Sequence, residues 1–275
     1  MTFAPRLAFA LLCLLLPAAA QAGETPFVRT QGAEVRLLSG GIDGGTLEAG
    51  IEIRLAAGWK TYWRYPGDSG IPPRFDWSGS RNVRAAAVDF PAPRRFSDGA
   101  SGFSIGYKGG SVILPVRVEL DAADKPTRLD LTLDFAVCEA LCVPAQAQLS
   151  LDVAPGGAKP NPALAAARAL LPSPAPVGGA APAVASFSVD SKATPPVLEV
   201  IASTTGEKAD LFVEGPTDAW ALPLPSRAPD SSGRTRFTLA LDGLPSGATW
   251  QGAQLNLTLV DGPRAVATVL TLPKD

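Results

Sequence analysis

The clearest hydrophobic pattern in the chain lies at residues 129–137. Apolar side chains stand at every second position there, while Asp130, Thr132 and Asp134 occupy the positions between them. A period of two predicts an antiparallel strand with one buried face. Less regular alternation occurs at 34–38, 47–55, 112–120 and 146–153. We therefore predict that residues 27–153 are built from β-strands.

Between about residues 56 and 107 the alternation weakens, and aromatic residues mix with many glycines and prolines. This composition predicts long loops, in which most aromatic side chains pack rather than react. The residues concerned are Trp59, Tyr62, Trp63, Tyr65, Phe75 and Trp77.

Residues 154–184 are dominated by Pro, Gly and Ala, which predicts a linker. One short helix is expected at 162–171, because Asn161 suits an N-cap and Pro162 the first helical position. Strand patterns return at 197–201, 210–214, 236–241, 254–260 and 265–272. The predicted fold class is all-β, with a first antiparallel sandwich at 23–153 and a second, smaller one at 185–275 that serves interaction or spacing.

The N-terminus has the three parts of a secretory signal peptide. Arg6 supplies the positive charge, residues 7–16 form an apolar run, and residues 20–22 read Ala-Gln-Ala. We expect cleavage after Ala22, which leaves a chain with no predicted membrane insertion. The mature protein is then expected in the periplasm, an oxidising compartment.

Charge and composition exclude several classes of function. Without residues 1–22 the chain has 23 basic and 26 acidic residues, a net charge of −3, so a nucleic acid is not an expected partner. The sequence contains no histidine. This excludes Ser-His-Asp triads, Cys-His nucleophile pairs and histidine-based zinc sites. We expect no cofactor and no resident metal.

Cys138 and Cys142 are the two cysteines of the predicted mature chain, spaced four residues apart. On a straight strand their α-carbons would lie about 13 Å apart, whereas a disulfide needs roughly 4.4–6.8 Å. A disulfide between them therefore requires the chain to turn, in a hairpin or a single helical turn. So small a ring gains little from chain entropy, which favours a redox role over a purely stabilising one.

Two alternatives remain open from the residues alone. The bridge could be structural, in a binding or assembly module that performs no chemistry. The two thiolates could instead hold Cu(I), which soft ligands select. No cationic neighbour of the cysteines is evident in the local sequence, and Glu139 would oppose thiolate formation.

Several motifs occur in an order that resembles the N-terminal domain of the thiol:disulfide interchange protein DsbD, in the variety found in ScsB-like proteins. The resembling stretches are GWKTYW at 58–63, PGDSG at 66–70, Pro72-Pro73, Trp77, PAPRRF at 91–96, Gly106-Tyr107, VILPV at 112–116 and CEALCVP at 138–144. The resemblance covers about 25–153. Stretches 211–216 and 257–262 resemble the additional β-domain of longer family members.

The resemblance implies an immunoglobulin-like sandwich in which Cys138 and Cys142 form the redox pair. Its implied partners are a membrane-embedded electron donor on a separate chain and periplasmic thioredoxin-like proteins. It also implies a role in cytochrome c biogenesis or copper tolerance. A cap that shields the disulfide would correspond to about residues 93–107, with Phe96, Phe103 and Tyr107 as cap or pocket residues. The cysteines are spaced more closely here than in the enteric domain.

Overall fold

The computed structural model describes residues 23–68, 70–98, 102–156, 159–206, 208–230 and 232–274. The predicted signal peptide lies outside these residues. The first part of the fold consists of β1 (Val28–Thr30), β2 (Ala33–Asp43), β3 (Thr46–Gly67), β4 (Arg74–Asp76), β5 (Val83–Val88), β6 (Arg94–Ser97), β7 (Phe103–Leu120), β8 (Thr127–Cys138) and β9 (Cys142–Val153).

The second part begins with α1 (Pro162–Arg168). It continues with β10 (Ser173–Pro174), β11 (Ala183–Asp190), β12 (Val197–Ser203), β13 (Asp210–Glu214), β14 (Ser226–Pro229), β15 (Thr235–Ala240), β16 (Gln254–Asp261) and β17 (Arg264–Thr271). The described chain is all-β apart from one short helix, as the sequence predicts.

Strands β3 and β7 are long, and β3 joins the two layers of the first sandwich. The first half of β3 pairs with β2 and β7. After an irregularity between Leu55 and Lys60, β3 pairs with β8 through Lys60 opposite Cys138 and Thr61 opposite Val137. The β8–β9 hairpin continues that second layer, and β4 pairs with β8. The bend in β3 thus brings the aromatic-rich segment to the cysteines.

The core of the first sandwich follows the predicted alternation. On β8, Leu129, Leu131, Leu133, Phe135 and Val137 are all buried. They pack with Leu37, Leu47, Ile51, Leu149, Leu151 and their neighbours in one apolar cluster. Burial of this alternating face holds the β8–β9 hairpin in register, because a slip by one residue would expose every buried side chain.

The α1 helix packs against the first sandwich. Asn161 accepts a hydrogen bond from Ala163 N, and Pro162 occupies the first turn. Leu164 is fully buried over Gly50 of β3, where an added Cβ would stand 2.3 Å from Leu164 Cδ2. The helix ends at Arg168, three residues before the expected position.

The second sandwich has two four-stranded sheets. One has the order β10-β17-β16-β13, with β10 parallel to β17, and the other has the order β11-β12-β15-β14. Their facing apolar side chains, including Leu198, Leu211, Phe237 and Leu257, form a second core. Together the two parts form immunoglobulin-like sandwiches in series.

The two sandwiches are in direct contact. Phe212 of β13 is fully buried and packs within the first core, with its ring centroid 5.9 Å from that of Trp63. Arg64 donates to both carboxylate oxygens of Glu214, at 2.8 and 2.7 Å. Arg95 does the same to Asp210, at 3.0 and 2.6 Å. An apolar contact flanked by two bidentate ion pairs therefore joins the sandwiches.

No helix within the described ranges has the length and apolar character that crossing a membrane requires.

Candidate functional site

Cys138 and Cys142 form a disulfide at the tip of the β8–β9 hairpin. Their α-carbons are 4.1 Å apart and stand directly opposite each other in the ladder. The turn that the spacing requires is a hairpin loop of Glu139, Ala140 and Leu141. The bridge thus joins two residues that the strand pairing already brings together.

The two cysteines differ in accessibility. Cys138 is 6% exposed, whereas Cys142 and the loop residues before it are exposed, with Leu141 at 79%. The cause is the neighbouring strand. β3 pairs with β8 beside Cys138, while among the strands that the structure describes β9 pairs with β8 alone. An incoming thiolate can therefore approach Cys142 more easily than Cys138.

The hydroxyl of Tyr62 contacts the disulfide, with its oxygen 3.0 Å from Cys142 Sγ. A disulfide sulfur carries no hydrogen, so the phenol is the donor. Burial, and secondarily the charge of Asp98, raises the pKa of Tyr62 above its usual value of 10.0. The phenol therefore keeps its proton throughout the neutral range and can donate to a sulfur that gains negative charge.

The ring of Tyr62 is held by the loop that follows β3. An added Cβ at Gly70 would stand 2.6 Å from Tyr62 Cδ1 and 2.4 Å from Pro66 Cβ. Asp68 ties this loop to β7, because Phe103 N donates to Asp68 Oδ2 and Asp68 N donates to Phe103 O, both at 2.9 Å. The loop thus fixes the ring whose hydroxyl meets the sulfur.

Lys60 lies on the same face of the sheet as the disulfide. It stands opposite Cys138, and opposite residues in an antiparallel pair share a face. Its ammonium group binds the carboxylate of Asp98 and donates to Ser104 Oγ at 3.0 Å. The local sequence around the cysteines shows no cationic neighbour, and strand pairing places Lys60 of β3 opposite Cys138.

The strand register separates the three residues predicted for a cap or pocket. Phe96 stands opposite Ser104, on the face of Lys60 and the cysteines. Phe103 stands opposite Ser97, on the other face, where Arg95 lies 5.7 Å from its ring centroid. Of these three residues, the register brings Phe96 to the face of the disulfide.

The Tyr107 side chain packs against the core of the first sandwich. The residue stands opposite Thr61 and donates its hydroxyl to Pro91 O at 2.8 Å. Burial raises the pKa of Tyr107 far above its usual value, and Arg64 nearby lowers it by less. Its hydroxyl is therefore a neutral donor that fixes the segment leading into β6.

Sequence reasoning missed Lys60, Asp98 and Ser104, and it interpreted Tyr62 as a packing residue. One signal could have found two of them: in the stretch 58–63, Lys60 and Tyr62 are two residues apart and so share a face if the stretch is a strand. Asp98 and Ser104 depend on long-range pairing that no local pattern shows.

The chain is similar to known proteins in sequence over its first part and in structure over most of its length. Residues 31–154 match the family described as "Thiol:disulfide interchange protein DsbD, N-terminal". No curated protein matches the chain by sequence. Among solved structures, the chain is similar to the N-terminal periplasmic domain of ScsB from Proteus mirabilis. The TM-score is 0.72 and the identity 19%, over 92% of this chain and all of the other.

At that identity the structural match establishes the fold alone, and the sequence match with the family is confined to residues 31–154. The matched segment contains the β8–β9 hairpin and both cysteines, together with Lys60 and Tyr62. Residues 31–154 of this chain therefore form a DsbD/ScsB-like N-terminal domain with a disulfide between Cys138 and Cys142.

Proposed function

We propose that the chain is a periplasmic electron carrier, in which the Cys138–Cys142 pair passes electrons from a membrane-embedded donor to thioredoxin-like clients. The observation that carries the proposal is the position of the disulfide. It lies at an exposed hairpin tip, with one buried cysteine, one exposed cysteine and a phenol donor on the exposed one. A bridge that served stability alone would gain more by closing a longer loop.

The exposed cysteine receives the attack in this proposal. The donor thiolate attacks Cys142 Sγ, the Cys138–Cys142 bond breaks, and its electron pair stays on Cys138 Sγ. A second donor thiolate then attacks the donor sulfur of the mixed disulfide and releases Cys142 as a thiolate. The Tyr62 hydroxyl donates a hydrogen bond to the sulfur at which charge develops in that release.

The reduced pair then reverses the chemistry on a client. The Cys142 thiolate attacks a sulfur of the client disulfide, and the client's other sulfur leaves with the electron pair. Cys138 resolves the mixed disulfide by attacking Cys142 Sγ, which restores the bridge and leaves the client with two thiols. Phe96 shares the face of the disulfide, so we assign it, rather than Phe103 or Tyr107, to the rim that a docking partner meets.

In the same proposal, residues 1–22 direct export of the chain and are removed by cleavage after Ala22. Residues 23–153 then carry the chemistry and 185–275 form most of the supporting sandwich. Residues 154–184 connect the two, with α1 packed on the first sandwich and β10 paired in the second.

The test combines a reduction potential with two trapping variants. Cys138→Ser leaves the exposed cysteine, and we expect it to accumulate a mixed disulfide with a thioredoxin-like protein. Cys142→Ser leaves the buried cysteine and should trap far less. The potential of the wild-type pair should lie at roughly −120 to −270 mV, the range of thiol exchangers. A value below about −300 mV, with no trapped adduct, would identify a structural bridge instead.

A further inference from the structure

Lys60 is a buried cation at the centre of the site. In the second half of β3 it has Cys138 as its partner on β8 and Lys108 as its partner on β7. Side chains directly opposite in an antiparallel pair have Cβ atoms about 4.5–5.5 Å apart. The Lys60 side chain therefore leaves the sheet immediately beside that of Cys138.

The Lys60–Asp98 pair is enclosed by the fold. The side chains of Lys60 and Asp98 are 9% and 16% exposed, and Ser104, which also binds the ammonium group, is fully buried. A buried ion pair often contributes no more stability than apolar residues of the same volume. Stability alone therefore does not account for a lysine beside the disulfide, and the chemistry of the bridge offers a reason.

That chemistry places negative charge on Cys138. When a partner attacks Cys142, the electron pair of the broken bond stays on Cys138 Sγ, inside the protein. Burial disfavours a thiolate, and a nearby cation favours it. The other charged groups that the register places on this face or at the hairpin tip include Asp98, Arg94, Lys108 and Glu139, of which the last three are exposed. Tyr62 is a neutral donor to Cys142. Lys60 is the buried cation beside Cys138.

We propose that the Lys60 ammonium group stabilises the Cys138 thiolate, and that Asp98 moderates this effect by sharing the same cation. The inference rests on the proposed exchange function and deepens it. The Lys60–Asp98 pair then sets the reduction potential of the disulfide. Removal of the Lys60 cation and removal of its Asp98 counter-ion must therefore shift the reduction potential in opposite directions.

The test measures the potential of the mature protein from pH 6 to pH 9. In Lys60→Met the reduced state loses stabilisation of the thiolate. The equilibrium constant for reduction of the disulfide should therefore fall by about tenfold once the thiolate is populated, which shifts the potential by about 30 mV towards more negative values. Asp98→Asn should shift the potential towards less negative values. Both differences should grow with pH, because they depend on ionisation of the thiol.

Two controls separate charge from structure. Lys108→Met removes a lysine from the opposite side of Lys60, where the charge is exposed and screened by water, and should leave the potential unchanged. Lys60→Arg keeps the charge and should restore most of the wild-type value. In a Cys142→Ser background, thiolate absorbance at 240 nm should show the pKa of Cys138 raised by Lys60→Met and lowered by Asp98→Asn.

An unchanged potential in Lys60→Met, or shifts of the same sign in Lys60→Met and Asp98→Asn, would overturn the inference. If Lys60→Met does not fold, Asp98→Asn decides alone: a less negative potential supports the inference, and any other result rejects it. If the wild-type protein exchanges disulfides and the variants have the same reduction potential, only the role of Lys60 is rejected. A wild-type bridge that does not exchange rejects the proposed function itself.

Discussion

The hydroxyl oxygen of Tyr62 lies 3.0 Å from the sulfur of Cys142, although 80 residues separate the two in the chain. The contact exists because β3 bends after Leu55 and pairs with the end of β8. A neutral phenol is thereby fixed as a hydrogen-bond donor to the exposed sulfur of the pair.

Tyr62→Phe removes this donor and keeps the ring. A hydrogen bond to a charged group contributes about 1.5–3 kcal/mol, so loss of the bond should raise the pKa of the Cys142 thiol by about one unit or more. The measurement is the pH dependence of iodoacetamide alkylation in the Cys138→Ser background, with and without Tyr62→Phe.

Tyr65→Phe is the matched control for this experiment. The Tyr65 hydroxyl donates to Leu222 O at the contact between the sandwiches, and burial raises its pKa to about 12. Removal of the Tyr65 hydroxyl should leave the pH dependence of Cys142 alkylation unchanged. Equal profiles for Tyr62→Phe and the parent protein would show that the phenol does not act on the thiolate.

Local patterns predicted the β8–β9 hairpin well. The alternation at 129–137 and the need for a turn between the cysteines are both set by near neighbours, and the structure confirms both. The stretch 58–63 was harder, because Thr61, Tyr62 and Trp63 are buried on both faces of the sheet. A strand buried on both sides has no alternation to detect, so the continuation of β3 was interpreted as a loop.

The polar part of the site could not be predicted for a related reason. Lys60, Asp98 and Ser104 meet because β3, the turn after β6 and the start of β7 are adjacent in the sheet. Each residue on its own has the appearance of an ordinary surface residue. Their significance depends on which strands pair, and that is decided by packing of the whole sandwich rather than by spacing along the chain.

Glu52 should make the first sandwich sensitive to acid. Burial alone would raise the pKa of this carboxyl, but hydrogen bonds from Arg36, Ser111 and Arg54 lower it below its usual 4.5. A lowered carboxyl pKa contributes stability that is present above the unfolded value and is lost as the pH falls through the folded value. Stability should therefore decline below about pH 4.5 as Glu52 is protonated.

Glu52→Gln tests this by urea unfolding at pH 7 and pH 3. We expect a loss of about 2 kcal/mol at pH 7 and a much smaller difference at pH 3, where the wild-type carboxyl is also neutral. Glu34→Gln is the comparison, because the Glu34–Arg29 pair is exposed and contributes little. A penalty for Glu52→Gln that is equal at both pH values would contradict the electrostatic explanation.

The contact between Gly50 and Leu164 should show strong coupling. Leu164→Ala leaves a cavity under α1 and should cost about 3 kcal/mol. Gly50→Ala should also destabilise the protein, because the new methyl group would overlap Leu164 Cδ2. The double variant should be less destabilised than the sum of the two, since the smaller side chain makes room for the new methyl group.

The measurement is the free energy of unfolding for the two single variants and the double variant. Leu170→Ala, at a residue that is 60% exposed just after the helix, should change little. Strict additivity in the cycle would mean that α1 is not held against β3 by this contact.

Phe212 should couple the unfolding of the two sandwiches. On β13 its neighbours Leu211 and Val213 belong to the second core, whereas Phe212 itself belongs to the first. Phe212→Ala should cost about 3–5 kcal/mol and weaken the contact that the two ion pairs flank. We expect the wild-type protein to unfold in a single transition and the variant to show two transitions in differential scanning calorimetry.

Phe237→Ala provides the discriminating comparison, because Phe237 is equally buried but lies wholly within the second core. It should destabilise the second sandwich by a similar amount without removing the contact between the two. If Phe212→Ala and Phe237→Ala gave the same calorimetric profile, the position of Phe212 at the contact would have no special effect. If only Phe212→Ala separates the transitions, the second sandwich is mechanically joined to the strands that carry Lys60 and Tyr62.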